Sequence, residues 1–252
     1  MKKINVPRLL CMLLAAVVFC FSAYKIIGIV SENNQSKSHY AEIADAVVQT
    51  VSQPTEDAAE QVEKITAPIT VDFSKLLLQN GDVVGWIYCE NTPINYPVLK
   101  SDDYDDYLRR LMNGERNTAG SIFMDYNSNA DLSSLNTIIY GHNMRNDTMF
   151  GTLDGYKDQA YYEAHPTLWF LTPNGDYKIE VISGYKTPSD SEAYADIMSQ
   201  ETLQEYIAEI LTKSTFRTKA DTSNIERVIT LSTCVRGEDD FRYVLIGKLI
   251  AV

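Results

Sequence analysis

From Val83 onward the chain is cut into eight short β-prone runs, and this division constrains the fold more than any other feature. The runs are Val83–Cys89, Ile94–Leu99, Ser121–Met124, Thr137–Tyr140, Leu168–Leu171, Tyr177–Tyr185, Arg227–Thr233 and Arg242–Ile250. Most are rich in β-branched and aromatic residues, and turn-forming residues separate them. A short strand leaves its backbone polar groups unpaired unless neighbours satisfy them, and an exposed edge invites further pairing. Eight such strands in about 170 residues point to a mainly β fold, a closed or nearly closed eight-stranded barrel. Pro173-Asn174-Gly175-Asp176 reads as a tight hairpin connection. No internal repeat or low-complexity tract competes with this reading.

Helical insertions interrupt the pattern. Asp72 can N-cap a short helix, Phe73 to Asn80, which Gly81 terminates. Asp103 to Met112 is expected as a second helix and Ser191 to Lys213 as a third. In the third, Ile197, Met198, Leu203, Tyr206, Ile207, Ile210 and Leu211 recur at helical spacing. Such a stripe packs on the barrel.

The N-terminus has a different texture. Leu9 to Val30 is a 22-residue apolar run interrupted only by Ser22, Tyr24, Lys25 and Gly28. As a helix it would reach about 33 Å, enough for a hydrocarbon core of roughly 30 Å. Lys2, Lys3 and Arg8 precede it and Glu32 follows. The positive-inside rule then puts the N-terminus in the cytoplasm and the rest outside, with Lys25 snorkelling to the outer interface. A cleaved signal peptide would be shorter and would end in small residues, but Phe19-Cys20-Phe21-Ser22-Ala23-Tyr24 offers no such site. Phe19 before Cys20 also argues against a lipoprotein cysteine. The expected organisation is a signal anchor over 1–30, a polar extracellular spacer over 31–71 and the main folded domain over 72–252. The spacer carries weak helical periodicity at 42–51 and 56–65 but too little apolar surface to fold alone.

Charge follows the same division. The chain has a net charge of −12, yet residues 1–30 hold four basic residues and no acid. The remainder carries 18 basic and 34 acidic residues. An acidic body excludes nucleic acid as a partner, because phosphate contacts need clustered Lys and Arg. An apolar fraction of 45% excludes wholesale disorder. Four cysteines are too few for a disulfide scaffold, and Cys11 and Cys20 fall inside the apolar run. Cys89 and Cys234 could pair, but nothing in the sequence demands it.

Cys234 ends the strand that begins at Arg227, beside a polar loop, Val235 to Asp240. A thiol there is either a small buried hydrophobe or a nucleophile. A nucleophilic thiol needs a histidine, a cation or both. Of three histidines, His39 lies in the spacer and His165 precedes Pro166 after a short helix. His142 follows the strand Thr137 to Tyr140 in Tyr140-Gly141-His142-Asn143, and this strand-end position makes it the best partner. Arg242 opens the strand antiparallel to the one ending in Cys234. A hairpin with a seven-residue loop would set the two side by side, where Arg242 can stabilise an oxyanion. Arg236, in the loop, is its local competitor.

Thr230-Leu231-Ser232-Thr233-Cys234, with Arg242 opening an apolar strand and Tyr140-Gly141-His142 upstream, resembles the sortases, and more narrowly those of class B. The resemblance runs from about Asp72 to Ile250. It includes Gly85-Trp86-Ile87, the Thr92–Val98 run, Tyr104 to Leu108 and the Gly120–Asp125 run. It implies an eight-stranded sortase-like barrel and a cysteine transpeptidase of the Gram-positive cell surface. Cys234 would be the nucleophile, His142 the general acid or base and Arg242 the carbonyl and oxyanion partner, with Ser232 and Thr233 at most lining the site. The implied partners are surface proteins with a C-terminal sorting signal, cleaved after Thr, and an amine of peptidoglycan or its lipid-linked precursor. No cofactor or metal is implied, and the histidines and cysteines lack zinc-ligand spacing.

Two alternatives compete with this reading. An L,D-transpeptidase-like enzyme is faintly suggested by Ser232-Thr233-Cys234-Val235-Arg236, but glycine usually precedes that family's cysteine. A membrane-anchored binding module would not require all three positions to be filled.

Overall fold

The computed structural model describes residues 6–51, 65–103 and 105–252. A single continuous helix, α1 (Val6–Val47), opens the described part of the chain. A short antiparallel pair follows, β1 (Val48–Thr50) with β2 (Ile69–Val71), and then α2 (Phe73–Gln79). Asp72 caps α2 as expected, accepting from the Lys75 N–H.

The barrel strands are β3 (Val83–Tyr88), β4 (Asn95–Leu99), β5 (Ile122–Met124) and β6 (Asn136–Tyr140). A 3-10 turn (Gly151–Lys157) and α3 (Gln159–Ala164) lead to β7 (Thr167–Thr172) and β8 (Gly175–Pro188). A second 3-10 turn (Glu192–Tyr194) and α4 (Gln200–Lys213) precede β9 (Val228–Val235) and β10 (Glu238–Ala251). All eight expected runs are strands, and they close in the order β10-β8-β7-β3-β4-β5-β6-β9. Neighbours are antiparallel except β4–β5 and β6–β9. Parallel neighbours require long crossovers, and the β6-to-β9 crossover carries α3, β7, β8 and α4.

Alternate residues of the C-terminal strands serve two cores. Ile229, Leu231, Tyr243 and Leu245 belong to the main cluster, while Val228, Val244 and Ile246 join Leu203, Tyr206, Ile207 and Ile210 of α4. The α4 stripe therefore packs on the barrel, as its spacing predicts. Ile210 has no exposed surface, and burying such a side chain is worth about 1.5–3 kcal/mol.

Four local expectations need correction. The described residues of 103–112 form turns, bends and one isolated bridge at Arg110, not a helix. The carbonyls of Tyr107 and Arg109, which a helix would use internally, accept instead from the Ser121 and Asn117 N–H groups. The Ser191–Lys213 helix begins only at Gln200, where the Ser199 side chain accepts from the Thr202 N–H. Met198 lies outside it and is 81% exposed. The polar 235–240 loop is mostly strand, with Arg236 and Gly237 (φ 81°) between β9 and β10.

The fourth concerns the expected spacer. Its first 17 residues continue α1, and Tyr40, Ile43 and Val47 are buried in the main core. Tyr40 donates its hydroxyl to the Gly120 carbonyl (2.9 Å). This segment lacks the apolar surface to fold alone, but the barrel supplies the missing partner. The weakly periodic 56–65 stretch lies, except for Ile65, outside the described residues. Leu9 to Val30, by contrast, leaves its large apolar side chains exposed. Among the described residues, α1 is the one helix long and apolar enough to cross a membrane.

Candidate active site

Strand register assembles the site. In the parallel β6–β9 pair Tyr140 lies opposite Ser232, and the Gly141 N–H donates to the Ser232 carbonyl (3.1 Å). Two residues further along each chain come His142 and Cys234. In the antiparallel β9–β10 pair Cys234 lies opposite Arg242. The expected juxtaposition of Cys234 and Arg242 is therefore present, although the connection between them is mostly paired strand. His142, Cys234 and Arg242 line one cavity of about 360 Å³, together with Leu108, Tyr194 and Ser232.

Glycine at 141 is a packing requirement. A Cβ there would sit 2.5 Å from Ile122 Cδ1 and 2.6 Å from Phe150 Cδ2. The Thr233 hydroxyl donates to the Gly141 carbonyl (2.8 Å), fastening the end of β6 to β9.

The His142 ring is held by backbone. Its Nε2 lies 2.7 Å from the Leu108 carbonyl, so Nε2 carries the proton and the neutral ring leaves Nδ1 as a base. Burial pushes the His142 pKa below the usual histidine range. The Leu108 carbonyl opposes that shift, while the charges of Arg109 and Arg242 reinforce it. Gly120 (φ 57°) makes the approach of this segment possible, since a Cβ there would fall 2.5 Å from the Leu108 oxygen.

The two arginines have separate tasks. Arg242 Nη1 donates to the carbonyls of Asp239 (2.6 Å) and Phe241 (3.0 Å), which fixes the guanidinium at the cavity wall. Arg236 points to the loop after His142. Its Nε donates to Asn143 Oδ1 (2.9 Å) and its Nη2 to the Met144 carbonyl (2.9 Å), and it pairs with Asp147 (3.3 Å). Asn143 in turn donates through Nδ2 to the Cys234 carbonyl (2.9 Å) and to Asp154 (2.8 Å). Asn143 thus ties the histidine loop to the cysteine strand.

Ser232 and Thr233 line the cavity, and the Ser232 hydroxyl lies 2.8 Å from that of Tyr194. Tyr194 stacks on Tyr140 (centroids 6.2 Å apart, planes at 17°), giving the cavity an aromatic wall. His39 and His165 do not line this cavity. All four cysteines are free. Cys89 is buried near the Tyr156 hydroxyl and the Thr167 carbonyl, and burial pushes its thiol pKa up. Among the described residues no cluster of three or more His, Cys, Asp or Glu could hold a metal ion.

Leu108, Asn143 and Tyr194 were not legible as site residues. Leu108 acts through its carbonyl, and Tyr194 reaches Ser232 across 38 residues. Asn143 adjoins His142 in the sequence, and that adjacency was the one available signal.

Comparison with known proteins identifies the family. The profile of the sortase domain matches residues 87–250. Sortase B of Listeria monocytogenes serovar 1/2a is 34% identical over 237 residues, covering 92% of each chain. The crystal structure of sortase B from B. anthracis in complex with AAEK1 superposes with a TM-score of 0.74 at 30% identity, covering 89% of this chain and all of that one. A Staphylococcus aureus sortase B–substrate complex gives a TM-score of 0.68 at 35% identity, covering 71% of this chain and 85% of that one. The L,D-transpeptidase alternative falls away, and the chain belongs to the sortase family of cysteine transpeptidases, within it to the sortase B type.

Proposed function

We propose that this chain is a membrane-anchored transpeptidase that joins surface proteins to the cell wall through Cys234. The observation that carries this reading is the three-strand register that sets His142, Cys234 and Arg242 around one cavity. His142, neutral and with Nδ1 free of its proton, accepts the thiol proton. The Cys234 sulfur attacks the carbonyl carbon of a threonine in a C-terminal sorting signal. Arg242 stabilises the oxyanion of the tetrahedral intermediate. The C–N bond breaks, His142 returns the proton to the leaving amine, and a thioester remains on Cys234. An amine of peptidoglycan or its lipid-linked precursor then attacks that carbonyl. The C–S bond breaks, the acceptor's proton passes to His142 or the thiolate, and the new amide departs.

In this reading the apolar part of α1 is a single-pass anchor with the N-terminus in the cytoplasm. Residues 72–252 form the catalytic domain outside, braced by the end of α1. The exposure of the apolar side chains of Leu9–Val30 supports the anchor, and the charge asymmetry around that run supports its orientation. A thiol-reactive vinyl sulfone peptide ending in threonine tests the nucleophile. Peptide mapping of the full chain should locate the adduct on Cys234, and Cys234→Ala should abolish it. An adduct confined to Cys11, Cys20 or Cys89 would overturn the assignment.

A further inference from the structure

Beyond Val30 the chain is acidic, yet three arginines gather where the barrel meets the helix leaving the apolar run. Asn117 Nδ2 donates to the Glu32 carbonyl (3.0 Å) and to Gln35 Oε1 (3.3 Å), and Gln35 Nε2 donates to Glu115 (2.9 Å). Glu32 and Gln35 lie two and five residues past Val30. The 113–117 loop therefore stands about 3–8 Å beyond the apolar run, at 1.5 Å per residue. That is the depth of lipid headgroups, which add roughly 5–8 Å to each side of the hydrocarbon core.

Arg110 and Arg116 face each other on this loop in an antiparallel bridge, and the Arg109 carbonyl accepts from the Asn117 N–H (3.0 Å). All three arginines are exposed. Among the described residues, Arg236 is the arginine that forms ion pairs, so Arg109, Arg110 and Arg116 have no carboxylate within 4.0 Å. The neighbouring acids Asp102, Asp103 and Asp106 line a separate depression with Asp82 and Lys100. Glu115 is engaged by Gln35. Arg116, at headgroup depth, with Arg109 and Arg110 beside it on the adjoining stretch of chain, gives three guanidiniums without an ion pair among the described residues. The long side chains can reach the phosphates of an anionic bilayer, which an arginine fork binds in bidentate fashion.

We propose that Arg109, Arg110 and Arg116 bind the phosphate groups of anionic phospholipids in the leaflet from which α1 emerges. The contact does more than add affinity. Arg109 adjoins Leu108, whose carbonyl holds His142 and which lines the cavity. Gripping the headgroups there fixes the height and tilt of the active site over the membrane. The inference rests on reading α1 as a membrane anchor.

The test uses the full chain in nanodiscs, with amide hydrogen exchange read over residues 107–117. Nanodiscs of phosphatidylcholine alone are compared with an equal mixture of phosphatidylcholine and phosphatidylglycerol. Exchange should slow by about tenfold or more in the anionic discs, since each arginine near such a surface favours binding by about fivefold. The slowing should vanish at high salt and in the triple variant Arg109→Gln, Arg110→Gln, Arg116→Gln, and it should survive in the triple Arg→Lys variant. Equal exchange in the two lipids, or slowing that persists in the Gln variant, would overturn the proposal. So would equal slowing by inorganic phosphate in phosphatidylcholine discs, which would indicate a site for a soluble anion. A chain that does not co-isolate with nanodiscs would overturn the anchor reading and this proposal together. An inserted chain indifferent to lipid charge overturns this one alone.

Discussion

Cys234 has Arg242 opposite it on the antiparallel strand, and His142 two residues past the end of the parallel strand on its other side. The site depends on this pairing, so the two candidate arginines are separable by substitution. Arg242→Ala should lower kcat/KM for a sorting-signal peptide by about 10²–10³, the usual cost of a lost oxyanion donor. Arg236→Ala should cost less than about tenfold, because half-exposed ion pairs are worth roughly 1 kcal/mol or less. The reverse order in a steady-state assay would reassign the roles. The pH behaviour of His142 has a definite sign. Burial, with Arg109 and Arg242 beside it, holds the folded pKa below 6.5. The unfolded chain therefore binds the proton first as pH falls. His142 contributes stability above about 6.5 that is lost as pH drops from there toward the folded pKa. An NMR titration should place the His142 midpoint below 6.5 and find it raised in Arg242→Gln. A midpoint at or above 6.5 would contradict the buried, neutral imidazole. That Cys234, His142 and Arg242 meet at one cavity was legible because each sits at the end of a strong strand pattern. Leu108 was not, because a carbonyl has no residue-type signature.

At the scale of elements, the strands could be read and the helices only in part. Strands such as Arg227–Thr233 announce themselves through β-branched residues bounded by turn formers. Residues 103–112 carry helical composition, but the carbonyls of Tyr107 and Arg109 are claimed by Ser121 and Asn117. Tertiary hydrogen bonds override local preference there. The first part of the expected spacer, through Val47, is helical for the opposite reason. Tyr40, Ile43 and Val47 are three apolar residues at helical spacing, too few to predict a stable helix alone, yet enough when the barrel covers them. The topology of α1 has a direct test. Ser38 is exposed on the helix beyond the apolar run. In a Ser38→Cys variant, a membrane-impermeant maleimide should label that position from outside intact cells. Labelling only after lysis would place the catalytic domain on the wrong side.

Taken whole, the molecule joins a helix with an exposed apolar run to a closed barrel through one uninterrupted α1. Its 42 residues span about 63 Å at 1.5 Å per residue. Roughly half of that is the apolar run, and the end of the helix is core. The apolar run and the barrel are therefore mechanically coupled, so under the proposed anchoring the membrane would set the position of the active site. The central claim is that this assembly passes its substrate through a thioester on Cys234. Rapid quenching of the full chain with a threonine-containing sorting-signal peptide, without an acceptor amine, followed by mass mapping, tests it most directly. The N-terminal product fragment, ending in threonine, should be found attached to the Cys234 peptide and be released when an amine such as triglycine is added. Peptide cleavage that continues in Cys234→Ala, or an acyl group carried on any other residue, would contradict it.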